Sequence, residues 1–205
     1  CLRGQAADDD GWRQMGLEGW GWDDVFPVFK GHEDHFLGAS AIHGSGGEWR
    51  VDAPRMRWEI LDAFADAAAE CGIPKVADFN GGDNEGSSYF QVNQKRGRRW
   101  SAARGFLKPA LDRPNLTVIT GALADRVPFE GTRAVGVAFA KDGVEQRVGA
   151  RAEVILAAGA VASPAILERS GVGAAERLKR LGVDVVADVP GVGENLQDHL
   201  QLRTI

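Results

Sequence analysis

Cysteine is nearly absent. The 205-residue chain holds two, Cys1 and Cys71, with no CxxC spacing, which excludes a disulfide framework and a thiolate zinc site and suits a reducing, cytoplasmic setting. No apolar run approaches the roughly 20 residues that span a bilayer, and no leader pattern opens the chain, so no transmembrane segment is expected. Basic charge is also in deficit: 24 Lys and Arg stand against 29 Asp and Glu, a net charge of -5. That removes the electrostatic case for a nucleic-acid or anionic-membrane partner, and the one basic run, "KRGRRW" at 95–100, reads as a solvated loop. No G-x-S-x-G elbow and no complete G-x-G-x-x-G turn occurs.

What is present is globular material, 44% hydrophobic and 26% charged, enough to bury a core in one or two units. The chain opens on Cys1 and stops at "QLRTI", and is read as a piece of something longer. Residues 1–45, rich in Trp, Gly and Asp, read as irregular cover with a short helix capped by Asp23. "GGEWRV" at 46–51 and "YFQVNQ" at 89–94 read as strands. Ile60, Leu61, Phe64, Ala68 and Cys71 share one face of a helix over 58–71, stopped by Gly72 and Pro74. A second helix starts at Ser101 and is shortened by Pro109. From Leu116 the pattern turns to a β-meander, "LTVIT", "RVPF", "AVGVAF", the turn "KDG" and "EQRV". It leads into "EVILAA", whose unbroken apolar character predicts a strand covered on both faces.

The 157–173 segment, "AAGAVASPAILERSGVG", enters a helix through small residues. Two readings stand: a corner where a nucleotide meets bare main chain and unpaired N–H groups, or close helix-on-strand packing without a ligand. "GVGENLQDH" at 191–199 reads as a loop. "HEDH" at 32–35 pairs two histidines with two carboxylates, and lacking a matched ligand set it reads as a solvated helix end. Asp198 and His199, being adjacent, diverge on a regular element. No metal site is assigned.

Taken together, these segments resemble the glucose-methanol-choline (GMC) oxidoreductases, with the choline dehydrogenase-like branch nearest. "GAVASPAILERSGVG" at 159–173 and "PGVGENLQDH" at 190–199 carry the resemblance, supported by "RGQAADDDGW", "GWGWDDVFPVFKGHED", "HGSGG", "RRWSAARGFLKPAL" and "RPNLTVITGA". It implies an α/β, mixed α+β fold. Part of a Rossmann-like FAD-binding domain with a β-meander would be interleaved with part of a sheet-plus-helix substrate domain. The divisions expected are a cover segment of the FAD domain at 1–45, substrate domain at 46–115, and FAD-binding domain at 116–205.

The resemblance also implies FAD as cofactor and a small-molecule alcohol, choline-like or other, as substrate, with hydride passing from the alcohol carbon to flavin N5. A flavin-containing hydroxynitrile lyase of the same fold, or a non-catalytic truncated product, are the alternatives. The main chain at Ala124 would meet the adenine, Ala158, Gly159 and Ala160 the adenosine half, and Asn195 and Asp198 would run near the cofactor. The first dinucleotide strand with its Gly-rich turn would precede residue 1, and the catalytic histidine would follow residue 205. None of His32, His35, His43 and His199 matches that position, so no catalytic residue is assigned, and the chain alone is expected to be inactive. Cys1 stands where an aromatic residue or Ala is usual. Trp49, Trp58, Trp100, Tyr89 and Phe90 are aromatic faces suited to a cationic alcohol, or to packing.

Overall fold

Two units make up the chain, Cys1–Thr117 and Val118–Ile205. The computed structural model describes residues 2–202; Cys1 lies outside them. No helix among these is long and apolar enough to cross a membrane.

The first unit begins with two helices where irregular cover was expected, α1 (Ala6–Gln14) and α2 (Trp22–His32). Each is opened by an acid in its first turn reaching back to the residue before the helix. The Gln5 N–H donates to Asp8 Oδ2 at 2.8 Å and the Gly21 N–H to Asp24 Oδ2 at 3.2 Å, so Gly21, not Asp23, is the N-cap of α2. Trp12 packs edge-on against Trp20, and Trp22 stacks on Phe26. Strand β1 (Glu33–His35) follows at once and pairs in parallel with β2 (Trp49–Val51). The connecting "HGSGG" passes so close to the end of α2 that a Cβ at Gly44 would stand 1.9 Å from the Lys30 carbonyl oxygen, and one at Gly47 2.2 Å from the His32 carbonyl carbon. Only glycine fits there.

Helix α3 (Glu59–Glu70) forms where its period predicts. Its apolar residues Ile60, Leu61 and Phe64 stay exposed. The "YFQVNQ" strand shrinks to a bridge from Asp52 to Val92 and a hairpin of β3 (Gln94–Lys95) with β4 (Arg98–Arg99). From Ser101, whose carbonyl accepts the Arg104 and Gly105 N–H groups, a π-helical turn (Ala103–Leu107) runs into the short α4 (Lys108–Ala110), with Pro109 limiting its length.

The centre of this unit is polar, and it corrects the reading of "HEDH" as a solvated helix end: Glu33 and His35 are buried strand residues, and His43 is buried beside them. Glu33 Oε2 accepts from His43 Nδ1 at 3.0 Å and from the Gly44 N–H at 2.9 Å, and it lies 2.8 Å from an Arg3 guanidinium nitrogen. His43 Nε2 faces Asp78 Oδ2 at 2.6 Å, and Gln91 Nε2 donates to the same oxygen at 2.9 Å. Both His43 nitrogens thus meet carboxylate oxygens. His35 stacks on His43 with ring centres 3.7 Å apart; burial first, then the His43 ring, hold it below its ordinary value. A two-residue step in the sequence cannot reveal this, because the partners sit 10 and 35 residues away.

In the second unit, β5 (Ala122–Arg126), β8 (Gly136–Lys141) and β9 (Val144–Gly149) form the expected antiparallel meander. Between β5 and β8 the hairpin β6 (Phe129–Glu130) and β7 (Arg133–Ala134) intervenes. The β8–β9 turn places Asp142 and Gly143 at φ 52° and 78°, the pair of left-handed residues a two-residue hairpin requires. Two predicted strands do not form: "LTVIT" and "EVILAA" run without ladder partners among the described residues, and Ile155 is 78% exposed. A strand buried on both faces needs neighbours to bond to; none stands beside them here.

Helix α5 (Gly159–Arg169) packs on β5, buries Ile166 and ends at Ser170. The buried Ser170 hydroxyl donates to the Ile166 carbonyl at 2.6 Å and accepts the Val127 N–H at 2.8 Å, stitching helix to sheet. Strands β10 (Val172–Gly173) and β11 (Ala187–Asp188) pair in parallel around α6 (Ala175–Arg180), whose Ala175 N–H donates to Asp188 Oδ1 at 2.9 Å.

Two expectations test these joints. Removing the Ser170 hydroxyl strands the buried Val127 N–H, so Ser170→Ala should cost about 1–3 kcal/mol in denaturant unfolding; a loss within experimental error contradicts the stitch. In the first unit, burial alone would raise the Glu33 and Asp78 carboxyls. For Glu33 the Gly44 N–H, His43 and Arg3 outweigh it, and for Asp78 the Asn80 N–H, His43 and Gln91; both are held below their ordinary values of 4.5 and 3.8. Their contribution is therefore fully present above those values and lost as pH falls through the depressed folded ones. Stability of the intact parent against denaturant, followed from neutral to about pH 3, should fall on that acid side, less steeply in Glu33→Gln; an unchanged acid profile in the variant contradicts the network.

Candidate functional site

The corner singled out in the sequence lies where residues 153–158 turn into α5. Ala158 closes the extended segment, and its N–H donates to Ser163 Oγ at 2.9 Å. Gly159, at φ 88°, makes the turn that a side chain would strain. The first N–H groups of any helix lack intrahelical acceptors, and in α5 no side chain caps them. Among the described helices of eight residues or more, α1, α2 and α3 each carry acids in the first turn, whereas α5 carries none. Its positive end is left for something outside the helix. Pro164 lacks an N–H, so the Ala160 carbonyl has no i+4 donor.

The "GVGENL" loop faces this helix. Ala160, Val161, Pro164 and Glu168 of α5 and Gly191, Val192, Gly193 and Leu196 of the loop line a cleft of about 460 Å³. Arg177 of α6 holds the loop in place. It donates to Glu194 Oε1 at 2.9 Å and to the Val192 carbonyl at 3.1 Å, and pairs with Glu168 on α5. A Cβ at Gly193 would make only ordinary contacts, 3.8 Å to Glu168 and 3.9 Å to Arg177 and Pro164; it is the φ of 79° that favours glycine there.

The structure thus brings Ala160 together with the loop. Ala158 and Gly159 form the turn before it, and Asn195, at φ 54°, sits between two residues of the lining. Ala124 is half-buried on β5, paired with Phe139, and does not line the cleft. Asp198 is exposed, its carboxylate accepting the His199 N–H at 2.8 Å. Arg177, Glu168 and Glu194 were missed in the sequence; they lie on three different elements, and no local spacing marks them.

A second cluster joins His35, His43 and Asp78, whose ligand-type atoms lie within 4.8 Å of one another. His35 Nδ1 accepts the Leu37 N–H, so the ring proton of the neutral imidazole is on Nε2, which then offers no lone pair to an ion. The nearby Gln91 amide oxygen is buried and open to that donor.

Comparison with known proteins agrees with the fold. The family model for GMC oxidoreductases matches residues 1–201. An oxygen-dependent choline dehydrogenase from Pectobacterium atrosepticum is 47% identical over 204 residues, 98% of this chain and 36% of that protein. The mitochondrial choline dehydrogenase of Homo sapiens is 43% identical over 201 residues, 98% of this chain and 34% of that protein. Among solved structures, pyridoxine 4-oxidase from Mesorbium loti superposes with a TM-score of 0.85 at 35% identity, over 93% of this chain and 38% of that one. An FAD-dependent oxidoreductase from Chaetomium thermophilum gives 0.86 at 28% identity, over 93% and 35%. The chain therefore spans little more than a third of the proteins it matches. Across that span, its mixed α/β architecture and its sequence make it a member of the GMC oxidoreductase family.

Proposed function

We propose that the parent of this chain is an FAD-dependent oxidoreductase acting on CH–OH groups, with a primary alcohol, choline-like or other, as substrate. The observation that carries the reading is the start of α5: an uncapped, acid-free helix N-terminus at one end of a cleft that runs along the helix from Ala160 to Glu168 under the 191–196 loop, its two carboxylates, Glu168 and Glu194, both paired with Arg177. The residues fit an anionic dinucleotide, since unpaired N–H groups and a positive helix end favour a phosphate, while a carboxylate in the first turn would repel it. Gly159 and Ala160 let a ribose come close to the main chain, and Val161, Pro164 and Leu196 offer apolar wall. The names carried by the relatives support choline or another alcohol as the substrate class.

When bound, FAD supplies the hydride acceptor. This chain's residues bind and orient it. Ala158, Gly159 and Ala160 approach the adenosine half, Asn195 and Asp198 belong to the loop running beside it, and Ala124 contributes main chain from β5. In this reading, residues 46–115 belong to the substrate domain, and 1–45 and 116–205 to the FAD-binding domain. No histidine lines the cleft, which accords with its taking the adenosine half of the cofactor and not the reacting alcohol. A cytoplasmic setting accords with the free, exposed Cys71.

Purified intact parent should show flavin absorbance and reduce an artificial acceptor when given an alcohol; no bleaching of the flavin and no reduced acceptor contradicts the assignment. Ala160→Asp places a carboxylate at the helix start and should weaken FAD binding at least tenfold, about 1.4 kcal/mol, in a titration of the apo-parent; unaltered affinity contradicts the site. Arg177→Ala should loosen residues 190–196, read as faster amide hydrogen exchange there, and lower FAD affinity several-fold while Arg177→Lys keeps part of it. A loop equally protected in both variants contradicts the role given to Arg177.

A further inference from the structure

The basic run that reads as a solvated loop in the sequence becomes a built feature in the first unit. The β3–β4 hairpin sets Lys95 directly opposite Arg98, a like-charge pair that weakens a ladder. Its turn holds Arg96 at φ 52°, a left-handed conformation uncommon for a side chain of that size, and Gly97 at φ 75°. The Arg55 guanidinium lies against the turn, 2.8 Å from the position a Gly97 Cβ would take. Lys95 is held in place by Trp100, with its ammonium 4.8 Å from the ring centre; the indole N–H is itself fixed by the Glu48 carbonyl at 2.8 Å. Lys95, Arg96, Arg98 and Arg104 converge with Trp100 on an open concavity of about 650 Å³, and no carboxylate lines it. The nearest acid that feels Lys95 is Asp34, already bonded to Arg50 at 3.1 Å and to the Gly46 N–H at 3.1 Å.

Cations gathered without a counter-charge in a chain of net charge -5 oppose folding through mutual repulsion. We propose that this concavity is a binding site for a soluble, multiply charged phosphate-class anion, such as a pyrophosphate or a phosphorylated small molecule. Three guanidinium groups present planar forks that match phosphate oxygens two at a time, and the space exceeds that of a single phosphate. A membrane surface is a poorer match, because no aliphatic side chain lines the site and the one aromatic face is covered by Lys95. The site lies wholly in the first unit and does not depend on the flavin assignment.

The test is calorimetric titration of inorganic pyrophosphate into the intact, flavin-loaded parent at low ionic strength. Saturable binding is expected, weakened at least tenfold in the Lys95→Ala/Arg98→Ala double variant and unchanged in Lys179→Ala on the second unit. Because the substitutions remove a like-charge pair, the unliganded double variant should melt no lower than the wild type, which separates lost binding from lost folding. The proposal is overturned by the absence of saturable heat, by equal affinity in the double variant, by a lowered melting temperature in that variant, or by binding confined to phosphatidylserine vesicles or a single-stranded oligonucleotide with none to pyrophosphate.

Discussion

The unpaired N–H groups at the start of α5 are the constraint around which the second unit is arranged. A helix start without a cap or an acid forgoes a local stabilisation on the order of 1 kcal/mol for the cap alone. The three longer helices of the first unit take the acid and α5 does not. The remaining features of the cleft follow from keeping that end accessible: glycine at the turn, alanine on either side of it, and a glycine loop drawn up opposite. The field of one helix terminus contributes only about 0.3–1 kcal/mol at a surface, so affinity for a dinucleotide has to come also from the apolar walls and from a loop already held in position. Arg177 supplies that hold.

The first unit solves a different problem. Its centre contains Arg3, Glu33, His43 and Asp78, charges that are costly to bury singly and tolerable when each meets its opposite with a hydrogen bond. Here the partners run without a break from Arg3 through Glu33 and His43 to Asp78. It ties the segment at Arg3, the β1 strand, the His43 loop and the Asp78 turn into one body. Gly44 and Gly47 are the geometric condition for it, because they let the loop carrying His43 lie against the end of α2.

Much of this was legible locally. The period of α3, the Asp142–Gly143 turn between β8 and β9, the meander and a helix from Ser163 to Ser170 follow from patterns within a dozen residues, although that helix in fact starts at Gly159, and the ordered motifs from 3 to 199 pointed to the family. What was not legible depends on partners distant in sequence. "HEDH" looked solvated because Asp78 and the His43 loop are invisible from residues 32–35. "EVILAA" and "LTVIT" looked like strands because apolar β-branched runs favour them, yet a strand exists only where a neighbour accepts its hydrogen bonds. The acids on α1 and α2 could be read as caps only to within a residue, since the cap is fixed by which N–H the carboxylate reaches. Arg177 carried no signal at all.

The claim on which the functional account rests is that the α5 corner receives the cofactor. Amide hydrogen exchange on the intact apo-parent, with and without added FAD, addresses it at the atoms concerned. The account predicts that FAD slows exchange at residues 159–161 and across 190–196. Exchange there that is indifferent to FAD, in a protein that nonetheless binds it, would place the cofactor elsewhere and contradict the account.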